Sequence, residues 1–466
     1  MMLLLFGVGL PVLVLSALIL GCLEARGPRG VLTFGLAAGL GTGLAAAVFC
    51  AWRFVAPSQD LSAFPWGEGV LLGLVALVAL AVVASLARAP RAEWSFEARC
   101  VAGAAVVMGA LSLTYFGLQS ARMPHGEWDA WAIWNLKARF LFRGGEHWQD
   151  LFSTAITHPG YPLLVPSAVA RLWTWIGRES PFMGVLVAGT FTYAAPLVVA
   201  GSLAHLRGWT YGAWGGLLTV AATPLTVYGA WQVADVPFGF FVVASVVLIS
   251  LAVASRQPWR LALLAGMAVG MAGLAKNEGQ PFMVGVTAAY VGYCLFQRRW
   301  SVTVRAMNIL AFAAAALPFW LLLALIREAS PAVGLASAFT DDLAVSKITD
   351  IGRHALIVRS LLSYFWGWAG LTFLGAAPLF LAALWLGGWR LDERTRAAAG
   401  FGTWALAVMI ASYYLAYLVS PYDLAWHISS SLHRILVHIW PTFVWVFCLL
   451  VRFDPVRPDR ATAVDG

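Results

Sequence analysis

Charged side chains are scarce in this sequence of 466 residues: 11% of its positions are Asp, Glu, Lys or Arg, and 61% are hydrophobic. Soluble globular domains carry about 25% charged residues, so the composition excludes an ordinary soluble enzyme. Apolar runs of about 20 residues, long enough to cross a bilayer as helices, recur along the chain. Runs of alternating apolar and polar residues, which build outer-membrane barrels, are absent. The sequence therefore predicts an all-α polytopic membrane protein.

Cysteine is also scarce, and its placement excludes two further structures. The five cysteines lie in or beside apolar runs, and no two have the spacing of metal ligands: Cys22, Cys50, Cys100, Cys294 and Cys448. This pattern predicts packed thiols rather than a disulfide framework or a zinc site. The first apolar run lacks a basic segment and a small-residue cleavage site. We therefore expect a retained span rather than a secretory signal peptide.

The hydrophobic pattern predicts thirteen transmembrane helices together with interfacial juxtamembrane helices. The predicted spans are residues 1–21, 31–52, 70–86, 101–118, 182–206, 209–229, 236–255, 261–275, 281–296, 306–326, 357–386, 397–420 and 435–451. Residues 357–386 are long for one span and contain glycines and Pro378, so we expect a bend or a break there. Residues 161–176 are too short to cross a hydrocarbon core of ~30 Å and predict a helix lying at the membrane interface.

Basic residues gather on one side of the predicted membrane. One set of alternating connections holds 17 of the 30 Lys and Arg residues with 8 acidic residues, and the other holds 13 with 14, which gives +9 and −1. By the positive-inside rule the first set is cytoplasmic, together with the C-terminus. The sequence thus predicts a multi-pass protein of the cytoplasmic membrane. Its main polar constellations, including Asp341 and Asp342, then face the periplasm or exterior.

Two carboxylates precede a helical pattern at residues 126–140, GEWDAWAIWNLKARF. Asp129 is a candidate general base, because such a base needs a carboxylate within hydrogen-bond reach of the attacking hydroxyl. Glu127 is a second candidate catalytic residue, which would tune that base, hold the acceptor or bind a divalent metal. The alternative is that Asp129 caps the helix that follows it.

The helix after these carboxylates carries three candidate substrate ligands, Trp131, Trp134 and Lys137. An indole face would stack on a prenyl chain or a sugar, and Lys137 would meet a lipid phosphate. Tryptophan and basic side chains also anchor helices at membrane interfaces, which is the structural alternative.

Further candidate ligands lie later on the same connection and on two connections that follow it. They are His158, Asp235, Lys276, Asn277 and Glu278. His158 and Asp235 have ordinary structural alternatives, because both stand at helix starts that contain proline. Lys276 to Glu278 join two spans with almost no loop, a place where charges are costly unless paired or solvated.

A last group of polar residues follows the twelfth predicted span. Asp423, His427 and Arg434 lie with His438 near one face of a continuous helix. Arg434 beside lipid needs an anion, and a phosphate would satisfy it with two parallel hydrogen bonds. The alternative is an internal network of Asp423, His427 and Arg434.

Four short motifs occur in a particular order between residues 122 and 279. They are Glu127-Trp-Asp129 with Arg143-Gly-Gly145, His158 to Leu163, Ala234-Asp-Val-Pro237, and Gly273-Leu-Ala-Lys-Asn-Glu-Gly279. In this order they resemble the GT-C superfamily of membrane glycosyltransferases, in the branch of protein mannosyltransferases and aminoarabinose transferases. The resemblance implies an inverting transferase that uses a polyprenyl-phosphate sugar, with Asp129 at the catalytic position. His158 and Asp235 would line the cavity, and Ala130 departs from relatives that carry a second acid there.

This reading divides the chain into four parts. They are N-terminal transmembrane helices (1–118), an external catalytic loop with juxtamembrane helices (119–181), a GT-C-like transmembrane module (182–296), and C-terminal transmembrane helices with a cytoplasmic tail (297–466). The expected partners are the sugar donor, a glycan or lipid acceptor and membrane lipids, without nucleic acid. A divalent metal stays open as a cofactor. The rival hypotheses are a transporter or flippase for a lipid-linked glycan and a non-catalytic scaffold.

Overall fold

The computed structural model describes residues 2–23, 29–56, 61, 63–86, 94–330, 344–367, 376–389 and 391–453, and helices make up most of these ranges. The first nine helices are α1 Met2–Cys22, α2 Gly30–Val55, α3 Ala63–Leu86, α4 Phe96–Arg122, α5 Asn135–Arg143, α6 Leu164–Ile176, α7 Pro181–Arg207, α8 Trp209–Val220 and α9 Thr223–Ala230. The next nine are α10 Asp235–Ala254, α11 Pro258–Ala275, α12 Gly279–Phe296, α13 Val302–Ala329, α14 Ala344–Thr349, α15 Ile351–Gly367, α16 Ala376–Gly387, α17 Glu393–Leu418 and α18 Leu424–Leu450. A π-helical turn, Ala130–Trp134, leads into α5, and a 3₁₀ helix, Gly145–Phe152, follows it.

Eight of the described helices are long and apolar enough to cross a membrane. They are α2, α4, α7, α10, α11, α13, α17 from Thr395, and α18. A hydrocarbon core of ~30 Å needs about 20 residues of helix, and each of these helices approaches or exceeds that length. The prediction of an all-α, multi-pass membrane protein is confirmed at this level.

Helix α10 forms the centre of the bundle. Of its most apolar stretch, 94% is buried against protein, and its neighbours are α7, α11, α17 and α18. Helix α4 is the opposite case, because only 11% of its most apolar stretch is buried and its other faces are exposed. The core of the molecule therefore surrounds α10, and residues at the ends of this helix are held by the most buried part of the fold.

One predicted span is divided in the structure. Residues 209–229 form α8 and α9, and the chain leaves the helical conformation at Ala222, where ψ is 98°. Pro224 starts the second helix, because proline fits the first turn but cannot donate the hydrogen bond that a continuous helix requires. Residues 357–386 contain the end of α15 and all but the last residue of α16, and residues 368–375 between them lie outside the described part of the chain.

Helix α6 is enclosed by protein, whereas the sequence predicted a helix on the membrane interface. Twelve of its thirteen residues are buried, and it packs against α1, α2, α5 and α7. Arg171 on this helix forms an ion pair of 2.9 Å with Glu68 of α3, and Trp175 donates a 2.8 Å hydrogen bond to the same carboxylate. The basic residue that indicated an interfacial position is therefore neutralised inside the fold.

Candidate active site

A single guanidinium joins three separate parts of the chain. Arg434 of α18 donates through Nη2 to Asp129 Oδ2 at 2.5 Å and to Asp235 Oδ2 at 3.0 Å. These partners are 305 and 199 residues away in sequence. Asp129 stands before the π-helical turn and Asp235 starts α10, so Arg434 fixes the position of the acidic loop relative to the bundle core.

Asp235 is the most enclosed member of this group. Its side chain is 1% exposed, and its Oδ1 accepts from Lys276 Nζ at 3.1 Å and from His438 Nε2 at 2.8 Å. Lys276 also pairs with Glu278 at 3.2 Å. We call Asp129, Asp235, Lys276, Glu278, Arg434 and His438 the ion-pair cluster. Buried charges require such partners, because removing an ion from water costs several kcal/mol unless it is paired.

The imidazole of His438 is oriented from its other side. Tyr413 of α17 places its hydroxyl 2.7 Å from Nδ1, while Asp235 lies at Nε2. A carboxylate only accepts hydrogen bonds, so in the neutral ring Nε2 carries the hydrogen and the tyrosine hydroxyl donates to Nδ1. Tyr413, His438 and Asp235 therefore form one continuous hydrogen-bonded chain into the cluster.

A close helix crossing makes these contacts possible. Gly239 lies one turn after Asp235 on α10, and a Cβ atom there would stand 2.9 Å from the carbonyl oxygen of Val437 on α18. A small residue at a crossing allows two membrane helices to approach closely. The approach brings Asp235 within hydrogen-bond distance of His438 and Arg434.

The loop that carries Asp129 is held by its own tight turn. Gly126 has φ of +76°, a conformation that favours glycine, and a Cβ there would lie 2.5 Å from the carbonyl oxygen of Trp231. Gln232 donates to the carbonyl oxygen of Pro124 at 3.0 Å and accepts from Asn135 at 3.3 Å. The segment just before α10 thus positions the loop on both sides of Asp129.

The two predicted catalytic carboxylates differ in their surroundings. Asp129 has helical φ and ψ values and makes no capping hydrogen bond, so the cap alternative is wrong. Its side chain is 18% exposed beside Arg434. Glu127 is partly buried, and its carboxylate makes no hydrogen bond or ion pair with the residues that the structure describes. Asp129 is therefore the positioned carboxylate, and Glu127 stands two residues away without a fixed partner.

The tryptophans of this region fall into two kinds. Trp128 and Trp131 are 45% and 49% exposed and form an edge-to-face pair with ring centroids 6.1 Å apart. Trp134 is buried and stacks on Tyr161 at 5.4 Å. The exposed pair is available to a ligand or to lipid beside Asp129, whereas Trp134 is part of the packing.

Lys137 points away from the ion-pair cluster and into the fold. Its side chain is fully buried, and Nζ donates to the carbonyl oxygens of Pro159 at 2.9 Å and of Tyr161 at 3.1 Å. Burial lowers the pKa of Lys137 to about 7. This residue therefore holds the turn that carries His158 rather than presenting a charge to solvent.

His158 lies on that turn in a conformation that is uncommon for a residue other than glycine. Its φ is 53°, and its exposed ring stacks on Tyr161 with centroids 4.5 Å apart. The residue makes no direct bond to the ion-pair cluster. Asn277 is likewise outside the cluster, since its side chain accepts from Gln280 at 3.3 Å within the start of α12.

Two of the predicted ligands on α18 are separate from the site. Asp423 caps the helix by accepting from the backbone of Trp426 at 2.8 Å, and His427 Nδ1 lies 2.8 Å from the Ser420 hydroxyl. The alternative network of Asp423, His427 and Arg434 is therefore not formed. Asp341 and Asp342 lie outside the described residues.

Sequence reasoning missed three residues that shape the site. The sequence placed His438 on the correct helix face but gave it no function, and no sequence pattern distinguished Tyr413 or Gln232. Each of them acts through a contact with a distant segment. A hydroxyl near the end of an apolar span was the only available sign of Tyr413.

A divalent metal does not fit the residues of the ion-pair cluster. Its three carboxylates, on Asp129, Asp235 and Glu278, already face the cations of Arg434 and Lys276. No group of three His, Cys, Asp or Glu side chains among the described residues has the arrangement of a metal site.

Comparison with known proteins gives no match, since no family model, no curated protein and no solved structure is significantly similar to this chain.

Proposed function

We propose that this protein is an inverting membrane glycosyltransferase that moves a sugar from a polyprenyl-phosphate donor to a glycan or lipid acceptor. The observation that carries the proposal is Asp129, a partly exposed carboxylate that lies 2.5 Å from the cation of Arg434. A group transfer from a phosphate needs a proton acceptor for the attacking hydroxyl and a cation for the departing phosphate. The site supplies both at neighbouring positions.

The reaction is a single displacement. The acceptor hydroxyl attacks the anomeric carbon of the sugar as Asp129 takes its proton. The bond between that carbon and the phosphate oxygen breaks on the opposite side, and the lipid phosphate leaves as a dianion. Arg434 stabilises the developing phosphate charge, and Lys276 adds a second positive charge nearby. No second nucleophile is required, because the phosphate is already a good leaving group.

The membrane setting favours a lipid-borne donor. The ion-pair cluster lies where α10 starts and α11 ends, in a chain whose described helices are dominated by membrane spans. Trp128 and Trp131 stand exposed on either side of Asp129 in sequence and offer aromatic faces to a prenyl chain or a sugar. We extend the proposal to a GT-C-like arrangement of thirteen spans, with the site on the periplasmic or outer face of the cytoplasmic membrane.

The test uses purified protein in lipid nanodiscs with a panel of polyprenyl-phosphate sugars and a membrane lipid extract as acceptor. Release of polyprenyl phosphate is measured for the wild type, for Asp129→Asn, and for Asp150→Asn as a control on the exposed 3₁₀ helix. We expect release by the wild type and the control, and a loss of about 10²–10⁴-fold in Asp129→Asn. Equal release by all three proteins would remove Asp129 from the chemistry.

The alternative function is a transporter or flippase for a lipid-linked glycan. The chain of Tyr413, His438 and Asp235 favours it, because buried ionisable groups in membrane helices are often parts of ion or proton relays. A flippase moves the intact donor across the bilayer without releasing free polyprenyl phosphate. Detection of the unchanged donor in the opposite leaflet of proteoliposomes, with no phosphate release, would select this alternative.

A further inference from the structure

The charges of the ion-pair cluster do not suit an anionic ligand as they stand. Three carboxylates face two fixed cations, so the cluster carries a formal charge of −1 when His438 is neutral. A lipid phosphate that approached Arg434 would meet the Asp129 carboxylate already bound to it. Either the phosphate binds elsewhere, or one carboxylate must leave Arg434.

The two carboxylates that bind Arg434 differ in how readily they can leave it. Asp235 is 1% exposed and accepts from three partners, Arg434, Lys276 and His438. Asp129 is 18% exposed, and Arg434 is its one side-chain partner among the described residues. If Asp129 leaves, Arg434 is still held by Asp235, whereas loss of Asp235 would remove the anion that Arg434 and the buried Lys276 share. Asp129 is therefore the carboxylate that can exchange.

Arg434 has unused hydrogen-bonding capacity. Both of its bonds to carboxylates pass through Nη2, and its buried Nε has no partner. A guanidinium binds carboxylates and phosphates best through two parallel hydrogen bonds, which this geometry does not provide. An oxyanion with two free oxygens can use donors that Asp129 leaves unsatisfied.

We propose that the phosphate of the lipid donor displaces Asp129 from Arg434, so that Asp129 becomes free to act as a base only after the donor has bound. This proposal rests on the proposed function and adds an order of events to it. The donor binds first, Asp129 turns from the cation to the acceptor hydroxyl, and the acceptor reacts second. In the absence of donor the carboxylate is masked by Arg434, and no hydroxyl is activated.

The exchange also affects the release of product. The donor phosphodiester carries one negative charge, and the lipid phosphate that leaves carries up to two. Arg434 therefore holds the product phosphate more strongly than it held the donor. When Asp129 has lost the proton that it took from the acceptor, it competes again for Arg434 and assists the departure of the phosphate.

The test measures binding of tritiated farnesyl phosphate to the protein in nanodiscs at fixed ionic strength. Because Asp129→Asn removes the internal competitor and keeps its shape, we expect the dissociation constant to fall about tenfold, which corresponds to ~1.4 kcal/mol. Asp150→Asn is the matched control, because it removes the same charge from an exposed carboxylate outside the ion-pair cluster. This control is expected to change affinity by less than about twofold. Arg434→Gln is expected to bind weakly whether or not Asp129 is also changed.

Three results would overturn the exchange. They are an unchanged or weaker affinity in Asp129→Asn, an equal gain in Asp150→Asn, and no binding by any of the proteins. Displacement of farnesyl phosphate by an equal concentration of inorganic phosphate would overturn the assignment to a lipid-borne anion. The proposed transferase function is tested separately, by sugar transfer. If Asp129→Asn binds farnesyl phosphate more tightly but the wild type transfers no sugar, the exchange at Arg434 is supported and the transferase function is not. If the wild type transfers sugar but Asp129→Asn has unchanged affinity, the exchange alone is wrong.

Discussion

Asp129 and Asp235 bind the same guanidinium but belong to two different regions of the molecule. Asp235 starts the most buried helix and is enclosed by Lys276, His438 and Arg434. Asp129 stands on a loop before a π-helical turn, a feature that is common at functional sites. The difference indicates a division of roles. The enclosed carboxylate holds the cations in place, and in the proposed reaction the accessible one accepts the proton.

The largest effect on stability is expected from substitution of Asp235, the enclosed carboxylate. Asp235→Asn leaves Arg434 and Lys276 without their shared anion, and loss of one partner from a buried ion pair costs about 3–5 kcal/mol. Asp129→Asn removes a partly exposed contact, which contributes about 1 kcal/mol or less. We therefore expect a large fall in melting temperature and in the monodisperse fraction for the first variant and a small fall for the second. Similar losses in both would show that the two carboxylates are structurally equivalent.

A pH-dependent change in stability is expected from Lys137, which holds the turn that carries His158. Burial lowers the pKa of this lysine to about 7, and its value in the unfolded chain is about 10.4. Between these values the unfolded chain holds a proton that the folded protein lacks, so stability rises with pH. The contribution is on the order of 4 kcal/mol at most between pH 7 and pH 10.

Melting curves at pH 7 and pH 9 measure this contribution. We expect the wild type to gain more stability over this interval than Lys137→Met, which has no proton to lose. Lys347→Met on α14 serves as the control, because it removes a lysine away from the turn. A pH dependence that is the same in wild type and Lys137→Met would contradict the effect.

A smaller effect is expected from distorting the loop that carries Asp129. In Gly126→Ala the new Cβ meets the carbonyl oxygen of Trp231 and the side chain of Ala130, and a non-glycine residue at positive φ costs about 1–3 kcal/mol. Because Asp129 follows three residues later, sugar transfer is expected to fall more than the melting temperature does. Gly117→Ala on α4 is the control, since it has no atom within 4 Å of the added group. Equal transfer rates in the two variants would show that this turn does not position Asp129.

The smallest effect on stability is expected from Tyr413, which stands at the end of the hydrogen-bonded chain farthest from Asp235. Tyr413→Phe removes the hydroxyl at Nδ1 of His438 and is expected to cost about 1 kcal/mol, the net value of one hydrogen bond. Tyr422→Phe, at an exposed ring, is the control. A differential scan of melting temperature compares the two. No difference between them would indicate that His438 keeps its orientation without this tyrosine.

Hydropathy predicted the eight described helices that are long and apolar enough to cross a membrane, but not every break within a predicted span. Residues 236–255 were predicted as a span, and α10 covers Asp235–Ala254, because a long apolar run has few other stable structures in a bilayer. The division at Ala222 escaped the prediction, since an average over a window hides the effect of Pro224. The burial of helix α6 was not predicted, because a short apolar helix has the same sequence pattern whether it lies exposed at an interface or packed inside a protein.

The composition of the site was partly predictable, and its pairing was not. Each of Asp129, Asp235, Lys276 and Arg434 was singled out, because a charge in an apolar chain requires a partner. Their mutual distances depend on how α10, α11 and α18 pack, which no local pattern contains. Lys137 was also singled out but lies outside the cluster. As a basic residue on a helix at the interface it suggested a phosphate ligand, whereas in the structure it is buried and donates to two carbonyl oxygens.

The short helix α6 has a consequence for how the protein is made. Its thirteen residues extend about 20 Å, less than the ~30 Å of hydrocarbon that an inserted helix must cross. It cannot be released into the bilayer as an independent unit, and α7, one of the helices that enclose it, is synthesised after it. Arg171 and Glu68 therefore meet late in biogenesis, after their parent segments have left the ribosome. Burial of this ion pair thus belongs to the stage at which α6 packs into the bundle, because the packed helices are what enclose the two charges.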